Sequence, residues 1–530
     1  MAKRILQSNE ARIALQRGVD TLANAVCVTL GPKGRMVAIR KHVPLFTLDG
    51  VTVAKDIQLK DPVEQLGAEL VQEVAGRTDK IAGDGTTTAT LLTQEMLREG
   101  MKAIAAGMDV AALREGMAAA TAVALEALKQ QAVPADTRER MVEIARISSR
   151  SDSIAESIAD VFSKVGKDGI VTVEGANVAD IEAYSAVGLS FDRGFVTPHF
   201  VTNQERGEVE LLNPVVLVTA QTISLNTEIV PILEQLVKRG SKDVLIVAED
   251  IKGEALATLV VNKARGALNV AAVKAPGIGN YKLAQLEDIA AVTGATYIAE
   301  ELSRRVEHAT IEMLGRAERI IVTKDATLIV GGHGNEKVIA DRVASIRYDI
   351  EHTESEYVRD QLEQRLGRLT GGVAVLKVGA PTEAEQLEKR YRVEDAVRAV
   401  RSALFEGIVP GGGVAYLNAA QKVHDATPSD AELDERTGHD IVKRALAAPI
   451  MRIAENCGES KDIVIDRISK EPRGSFGYNG ATGEYGDLLA MGVVDPLRVC
   501  RVAVEQASSL VRMFLATEAV VVEEPEEKRK

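Results

Sequence analysis

Apolar residues recur at helical spacing toward both ends of this chain, while its middle alternates between a period of two and a period of 3.6. Residues 9–130 read as mostly helix, with Glu64 to Ala75, Thr87 to Ala106 and Ala111 to Gln131 each amphipathic. Met36 to Val53 reads as extended, a hairpin or projecting loop with Asp49-Gly50 as a turn. Ile170 to Glu174 is a short strand candidate. From about 210 to 305 the order is strand Pro214–Thr219, helix Glu228–Lys238, strand Val244–Ala248, helix Glu254–Arg265, strand Val270–Lys274 and helix Lys282–Thr293. Such alternation predicts a parallel or mixed sheet covered by helices. Arg319 to Val330 reads as a hairpin, Ala340 to Leu369 as one long charged helical stretch, Val373–Val378 as a strand and Glu383 to Phe405 as a helix. After Pro410-Gly411-Gly412-Gly413 the Ala/Leu-rich helical pattern returns. The simplest plan is an α/β domain inserted into a helical domain through a connecting module. Gly188 and the pair Gly371 and Gly372 stand at the two crossings, where hinges belong, although glycine pairs also make plain turns.

The chain's 530 residues predict about three domains. Aromatic residues make up only 3%, so its cores are built from Ala, Val, Leu and Ile. A net charge of −13, from 64 basic and 77 acidic residues, argues against nucleic acid as a main partner. Cys27, Cys457 and Cys500 are far apart, and the seven histidines show no metal-ligand spacing. No uncharged stretch approaches a membrane span, and residues 1–20 lack the apolar centre of a signal peptide, which predicts a cytoplasmic protein.

One segment carries chemistry. Gly83-Asp84-Gly85 is followed by Thr86, Thr87 and Thr88 at the start of an apolar-periodic run. Free backbone N–H groups and hydroxyls gathered at a helix start suit a phosphate, and the helix dipole favours the anion. Asp84 suits the magnesium that accompanies a triphosphate. A capped helix after a tight turn would read the same way. No Walker P-loop is present.

Taken together the chain resembles the group I chaperonins, the bacterial GroEL type, from about Ala2 to Val522. The runs that carry the resemblance are Thr29-Leu-Gly-Pro-Lys-Gly34, Ala82-Gly-Asp-Gly-Thr-Thr-Thr-Ala-Thr90, Phe191-Asp-Arg-Gly194, Gly253-Glu-Ala-Leu-Ala-Thr-Leu-Val-Val-Asn262, Arg392-Val-Glu-Asp-Ala396 and Gly411-Gly-Gly-Val-Ala415. The resemblance implies a multi-domain α/β fold. An all-α equatorial domain (1–130 and 406–522) would bind ATP and make ring contacts. A nested intermediate module (131–187 and 374–405) would hinge, and an α/β apical domain (188–373) would bind polypeptide. Residues 523–530 would form a charged tail.

It also implies the cofactors ATP, Mg2+ and K+, and partners in the form of non-native proteins and a small heptameric co-chaperonin. Copies of the chain would form seven-membered rings, usually two stacked. Thr29, Leu30, Gly31 and Pro32, with Asp84, Gly85, Thr86, Thr87 and Thr88, would wrap the phosphates, and Asp84 would hold Mg2+. Asp49 and Asp395 would be the catalytic carboxylates that orient and activate water. Read alone, Asp395 is a salt-bridge partner of Arg398 on a charged helix. Gly412, Asn479, Gly480, Ala481 and Asp495 would complete the adenine and ribose side. Leu48 stands within this nucleotide site where the family usually carries lysine, so slower hydrolysis is expected.

Phe195, His199, Phe200, Val230, Leu233, Leu256, Val260 and Val261 match the family's apolar apical rim. His199 departs from a usual tyrosine. Read alone, the helices Glu228–Lys238 and Glu254–Arg265 would pack on a sheet, although Val230, Leu233 and Val237 make their stripe wide. Arg193 and Glu383 match an ion pair between neighbouring subunits. Short strands at Ala2–Leu6 and Ala519–Val522 would pair with a neighbour's Met36–Thr47 hairpin. Met451 and Ser460 replace residues that bridge the two rings, which predicts weaker ring pairing. Glu-Glu-Pro-Glu-Glu-Lys-Arg-Lys replaces the family's Gly-Met tail. A solitary ATP-dependent kinase would need a polar pocket near residues 195–265, and a scaffold without turnover would not need Asp49, Asp84 and Asp395.

Overall fold

The computed structural model describes the chain except residues 1–2, 41–44, 167–168, 177, 187, 205, 278, 354, 371–372, 429–431, 472–473 and 524–530. The hinge candidates Gly371 and Gly372, and nearly all of the charged tail, therefore lie outside the described residues. The chain divides into two compact units. One is built from Met1–Asp160, Val173–Glu182 and Lys377–Lys530, the other from Val161–Thr172 and Ala183–Leu376.

The first unit is a helical body made from both ends of the chain. Its core joins Leu15, Leu22, Leu92, Met96 and Met117 to Ile441, Leu446, Val511 and Phe514. With so few aromatics, close helix approach replaces bulk. A Cβ at Gly67, on the helix Pro62–Ala82, would sit 2.1 Å from the Leu15 carbonyl oxygen on the helix Ser8–Cys27. The terminal strands Lys3–Gln7 and Ala519–Glu523 pair antiparallel with each other. Ile5, Val521, Met36 and Phe46 are exposed.

The Met36–Val53 expectation needs correction. Strands Val37–Ile39 and Leu45–Thr47 do form a hairpin, but residues 50–53 are not extended, because Gly50–Asp56 is a helix. Asp49-Gly50 is its start and not a turn. The Asp49 carboxylate accepts from the Val51 and Thr52 N–H groups and caps the helix.

The second unit carries a mixed sheet of seven strands. Along its main path the order is Asn269–Lys274, Asp243–Ala248, Val215–Val218, Gly315–Val322, Thr327–Gly332 and Gly188–Phe191, with Val209–Leu212 also paired to Gly315–Val322. The first three strands are parallel, as the alternating pattern predicted. Their crossover helices are Asn226–Arg239 and Gly253–Ala264. The single helix expected over Ala340–Leu369 is instead two, Glu336–His352 and Glu356–Thr370. Thr353 turns extended, and Ser355 Oγ accepts from the Val358 N–H to start the second.

Gly188 lies inside a strand with its backbone hemmed in. A Cβ there would meet Val373 Cγ2 at 2.2 Å and the Ile329 carbonyl oxygen at 2.5 Å. Close packing accounts for this glycine, and its geometry lends the hinge reading nothing. Among the described residues, no helix is long and apolar enough to cross a membrane.

Candidate nucleotide site

The Gly83–Thr88 segment reverses the chain between two long helices. Gly83 and Gly85 both adopt left-handed backbone, with φ of 78° and 83°, which an L-residue resists. Gly85 is the N-cap of Thr86–Ala105 and has no side chain, so the first-turn N–H groups carry no side-chain cap. Asp84 between the glycines accepts from the Gly85 N–H at 2.6 Å. Thr87 Oγ1 lies 3.3 Å from Thr29 Oγ1, which brings the Thr29–Pro32 loop to the same helix start. Asn456 holds that loop by donating to the Cys27 and Leu30 carbonyls.

The Asp49 helix presses on the same threonines. A Cβ at Gly50 would lie 2.2 Å from Thr87 Oγ1, so only glycine fits. Both Asp49 oxygens are engaged, one by Val51 N–H and the other by Thr52 N–H and hydroxyl. Leu48 beside it is half-buried.

Asp395 reaches this centre from the helix Glu383–Glu406. Arg398 Nη2 donates to it at 2.6 Å, so the salt-bridge reading of the sequence is correct as far as it goes. Burial, and then the nearby Asp49 carboxylate, push the Asp395 carboxyl well above the usual range, while Arg398 opposes them. Burial also raises Asp84, against the Gly85 N–H and Arg398, with Asp49 and Asp79 adding to the rise. Asp495, on the short strand Val494–Pro496, is pushed up to about 7 by burial and by Asp84. Asp84 is thus within electrostatic reach of Asp49, Asp395 and Asp495, and a cation beside it would relieve that repulsion.

The remaining predicted residues border this centre. Gly480 packs on Pro32: a Cβ there would lie 3.2 Å from Pro32 Cγ and 2.8 Å from Cys457 Sγ. Asn479 Oδ1 accepts from the Ala481 N–H at the end of a two-stranded hairpin. Gly412, with φ of 62°, faces the Tyr478 carbonyl. Among the described residues, no three His, Cys, Asp or Glu side chains are grouped to hold a metal by themselves. Mg2+ arriving with phosphate oxygens of its own fits this wall, since it needs only one or two carboxylates from protein.

Sequence reasoning missed one wall, the end of the helix Arg138–Ser149. Ser148 Oγ is 3.5 Å from Asp84 Oδ2, and Arg150 Nη2 donates to the Thr29 and Gly31 carbonyls. Arg392 donates to the Ser149 carbonyl. The run Ser148-Ser149-Arg150-Ser151 is the only sequence signal there, and it reads as an ordinary helix end.

In the second unit the predicted apolar residues separate. Phe200 and Leu233 are 0% and 5% exposed and belong to the core, which removes both from any exposed rim. The Leu233 side chain joins Ile229, Ile232 and Leu236 on the sheet-facing side, where the packing stripe is wider than the spacing alone implied. Val237 and Val261 are 53% and 44% exposed. Phe195, Val230, Leu256 and Val260 are half-buried, and His199 is exposed. The helix Gly253–Ala264 buries only Ala255 and Leu259.

The sequence model of the TCP-1/cpn60 chaperonin family matches residues 22–525. Among solved structures, the fold is similar to that of the chaperonin gp146 from the bacteriophage EL 2 (Pseudomonas aeruginosa), crystallised in the presence of ATP-BeFx. That likeness has a TM-score of 0.71 at 20% sequence identity, covers 98% of this chain and 99% of the other, and concerns the fold.

Proposed function

The chain belongs to the TCP-1/cpn60 chaperonin family, and from that premise we propose that it is an ATP-hydrolysing chaperone that captures non-native polypeptides on an apolar apical face. The observation that carries the reading is the crowding of Asp49, Asp84 and Asp395 at the uncapped start of Thr86–Ala105. The ATP analogue in the phage chaperonin crystal supports it.

In this reading the N–H groups and hydroxyls of Thr29–Pro32 and Gly85–Thr88 hold the phosphates. Asp84 supplies the carboxylate for Mg2+, which neutralises phosphate charge when bound. Asp49, with both oxygens fixed by Val51 and Thr52, orients the attacking water. Asp395 takes its proton, and Arg398 holds that carboxylate in place. The Pro32–Gly480 contact, Ala481, Gly412 and Asp495 frame the base and ribose.

The organisation inferred from the sequence goes with this function. Residues 1–130 and 406–522 form the equatorial part, 131–187 and 374–405 the intermediate part, and 188–373 the apical part. Val237 and Val261, with the half-buried Val230, Leu256 and Val260, form the capture surface. Seven-membered rings, K+ dependence and a co-chaperonin lid belong to the same proposal, as does the Arg193–Glu383 pair between subunits.

Native mass spectrometry with and without ATP, run beside phosphate release with and without an unfolded protein, tests it. The expected result is a ring-sized assembly whose hydrolysis rate responds to the unfolded protein. A monomer that phosphorylates a small molecule, or an assembly that binds ATP and never releases phosphate, would overturn it.

A further inference from the structure

We propose that Arg150 is a fixed cation of the nucleotide site, holding the Thr29–Gly31 loop and contacting the polyphosphate directly. This rests on the nucleotide reading above and adds a residue that no sequence motif assigned.

Backbone strain is the first argument. Arg150 ends the helix Arg138–Ser149 in left-handed conformation, with φ of 54° and ψ of 32°. Glycine or asparagine occupies such a position at lower cost. The contacts of the arginine side chain must offset that cost, and strain of this kind collects at functional sites.

The guanidinium's partners are the second argument. Nη2 donates to the Gly31 carbonyl at 3.0 Å and to the Thr29 carbonyl at 3.3 Å. No carboxylate pairs with Arg150 among the described residues, although acidic groups crowd the cleft. Asp395 is held by Arg398, Asp84 by the Gly85 N–H, and Asp49 by Val51 and Thr52. Nε and Nη1 of Arg150 have no hydrogen-bond partner among the described residues. A guanidinium offers five donors in a fixed fork, and phosphate is the anion that fits it.

Placement is the third. Ser148, two residues back, is 3.5 Å from Asp84, the carboxylate proposed to hold magnesium. Thr29 touches Thr87 at the helix start on the other side. Arg150 therefore stands between the phosphate loop and the metal carboxylate. Burial and then the neighbouring Arg392 lower its hold on its proton, while Glu388 and Asp84 oppose them. No Walker lysine serves this site. The two loop carbonyls would otherwise turn their negative ends toward a polyphosphate, and a cation between them removes that repulsion. Carbonyl oxygens also attract K+, so Arg150 does here what a soluble monovalent ion could do.

Arg150→Asn tests this in the full-length assembly, because asparagine tolerates the left-handed backbone and should leave thermal stability equal or higher. Binding of ATP and of adenosine would be measured by calorimetry, and turnover by phosphate release. The expected result is at least tenfold weaker ATP binding, adenosine binding within twofold of the parent, and partial rescue of turnover by millimolar guanidinium ion or by K+. Unchanged ATP binding would overturn the proposal, as would equal losses for ATP and adenosine, which denote a structural role. Arg150→Lys, which keeps charge but not the fork, should fall between parent and Arg150→Asn; a loss as deep as in Arg150→Asn without rescue would also count against it. If the parent chain binds no ATP, the nucleotide reading itself fails and Arg150 falls with it.

Discussion

The nucleotide cleft and the apolar face are built on opposite principles. The cleft draws Thr29, Asp49, Asp84, Arg150, Asp395 and Asp495 from almost the whole length of the chain. Thr29, Asp49, Asp84, Arg150 and Asp395 are held by named partners, and burial drives Asp84, Asp395 and Asp495 above their ordinary range. The apolar face comes from two neighbouring helices, Asn226–Arg239 and Gly253–Ala264, and its exposed valines make no directed contact. Hydrolysis needs particular atoms at particular places, so few residue types serve. Capture of varied non-native chains needs only apolar area left over once the core is satisfied. Substitutions should accordingly be drastic in the first region and graded in the second.

The largest effect expected is at Asp395. Asp395→Ala removes the proton acceptor and should slow phosphate release by roughly 100- to 1,000-fold while fluorescent ATP still binds. A loss below tenfold would move the base elsewhere and weaken the contrast. On the apolar face, Val237→Ser combined with Val261→Ser should reduce capture of a denatured protein about tenfold, as read by suppression of its aggregation, with phosphate release per chain unchanged. About 25 cal/mol per Å2 of apolar surface, taken over two exposed valines, gives an effect of that order. Full capture by the double variant would place the client surface elsewhere.

A smaller effect tests whether crowded carboxylates strain the cleft. Asp495 sits at about 7 in the folded chain against 3.8 for a free carboxyl, so the folded state holds this proton more tightly than the unfolded one. The cost of its charge is absent below the unfolded value, grows as pH rises, and is complete above the folded value. The full shift is worth about 4 kcal/mol, but Asp495 is only half-buried, so Asp495→Asn should stabilise the nucleotide-free protein by roughly half of that at pH 8, and by less than half of the pH 8 gain at pH 5. Thermal melts at the two values check it, and a pH-independent gain would show that the carboxylate bears no such burden.

The same contrast explains what the sequence disclosed. The uncapped helix start at Thr86–Thr88 is legible because a glycine N-cap before an apolar-periodic run leaves the first-turn N–H groups open. The parallel strands of the second unit were legible because burial on both faces forces apolar runs. Asp49-Gly50 misled because the pair that makes turns also caps helices, and only the accepting carboxylate distinguishes them. Ala340–Leu369 misled because no proline or glycine marks the break at Thr353. Phe200 and Leu233 misled because an apolar residue looks the same whether it faces a client or a core. Arg150 was illegible because left-handed backbone at a non-glycine residue leaves no trace in periodicity.

Arg392 Nη1 reaches across to the Ser149 carbonyl. Asp395 lies less than one turn further along the Arg392 helix, and Arg150 follows Ser149 directly. That single hydrogen bond ties the helix bearing Asp395, the proposed base, to the helix end bearing Arg150, the proposed phosphate contact. On the roles proposed for Arg150 and Asp395, a nucleotide too short to engage Arg150 should also turn over more slowly at Asp395.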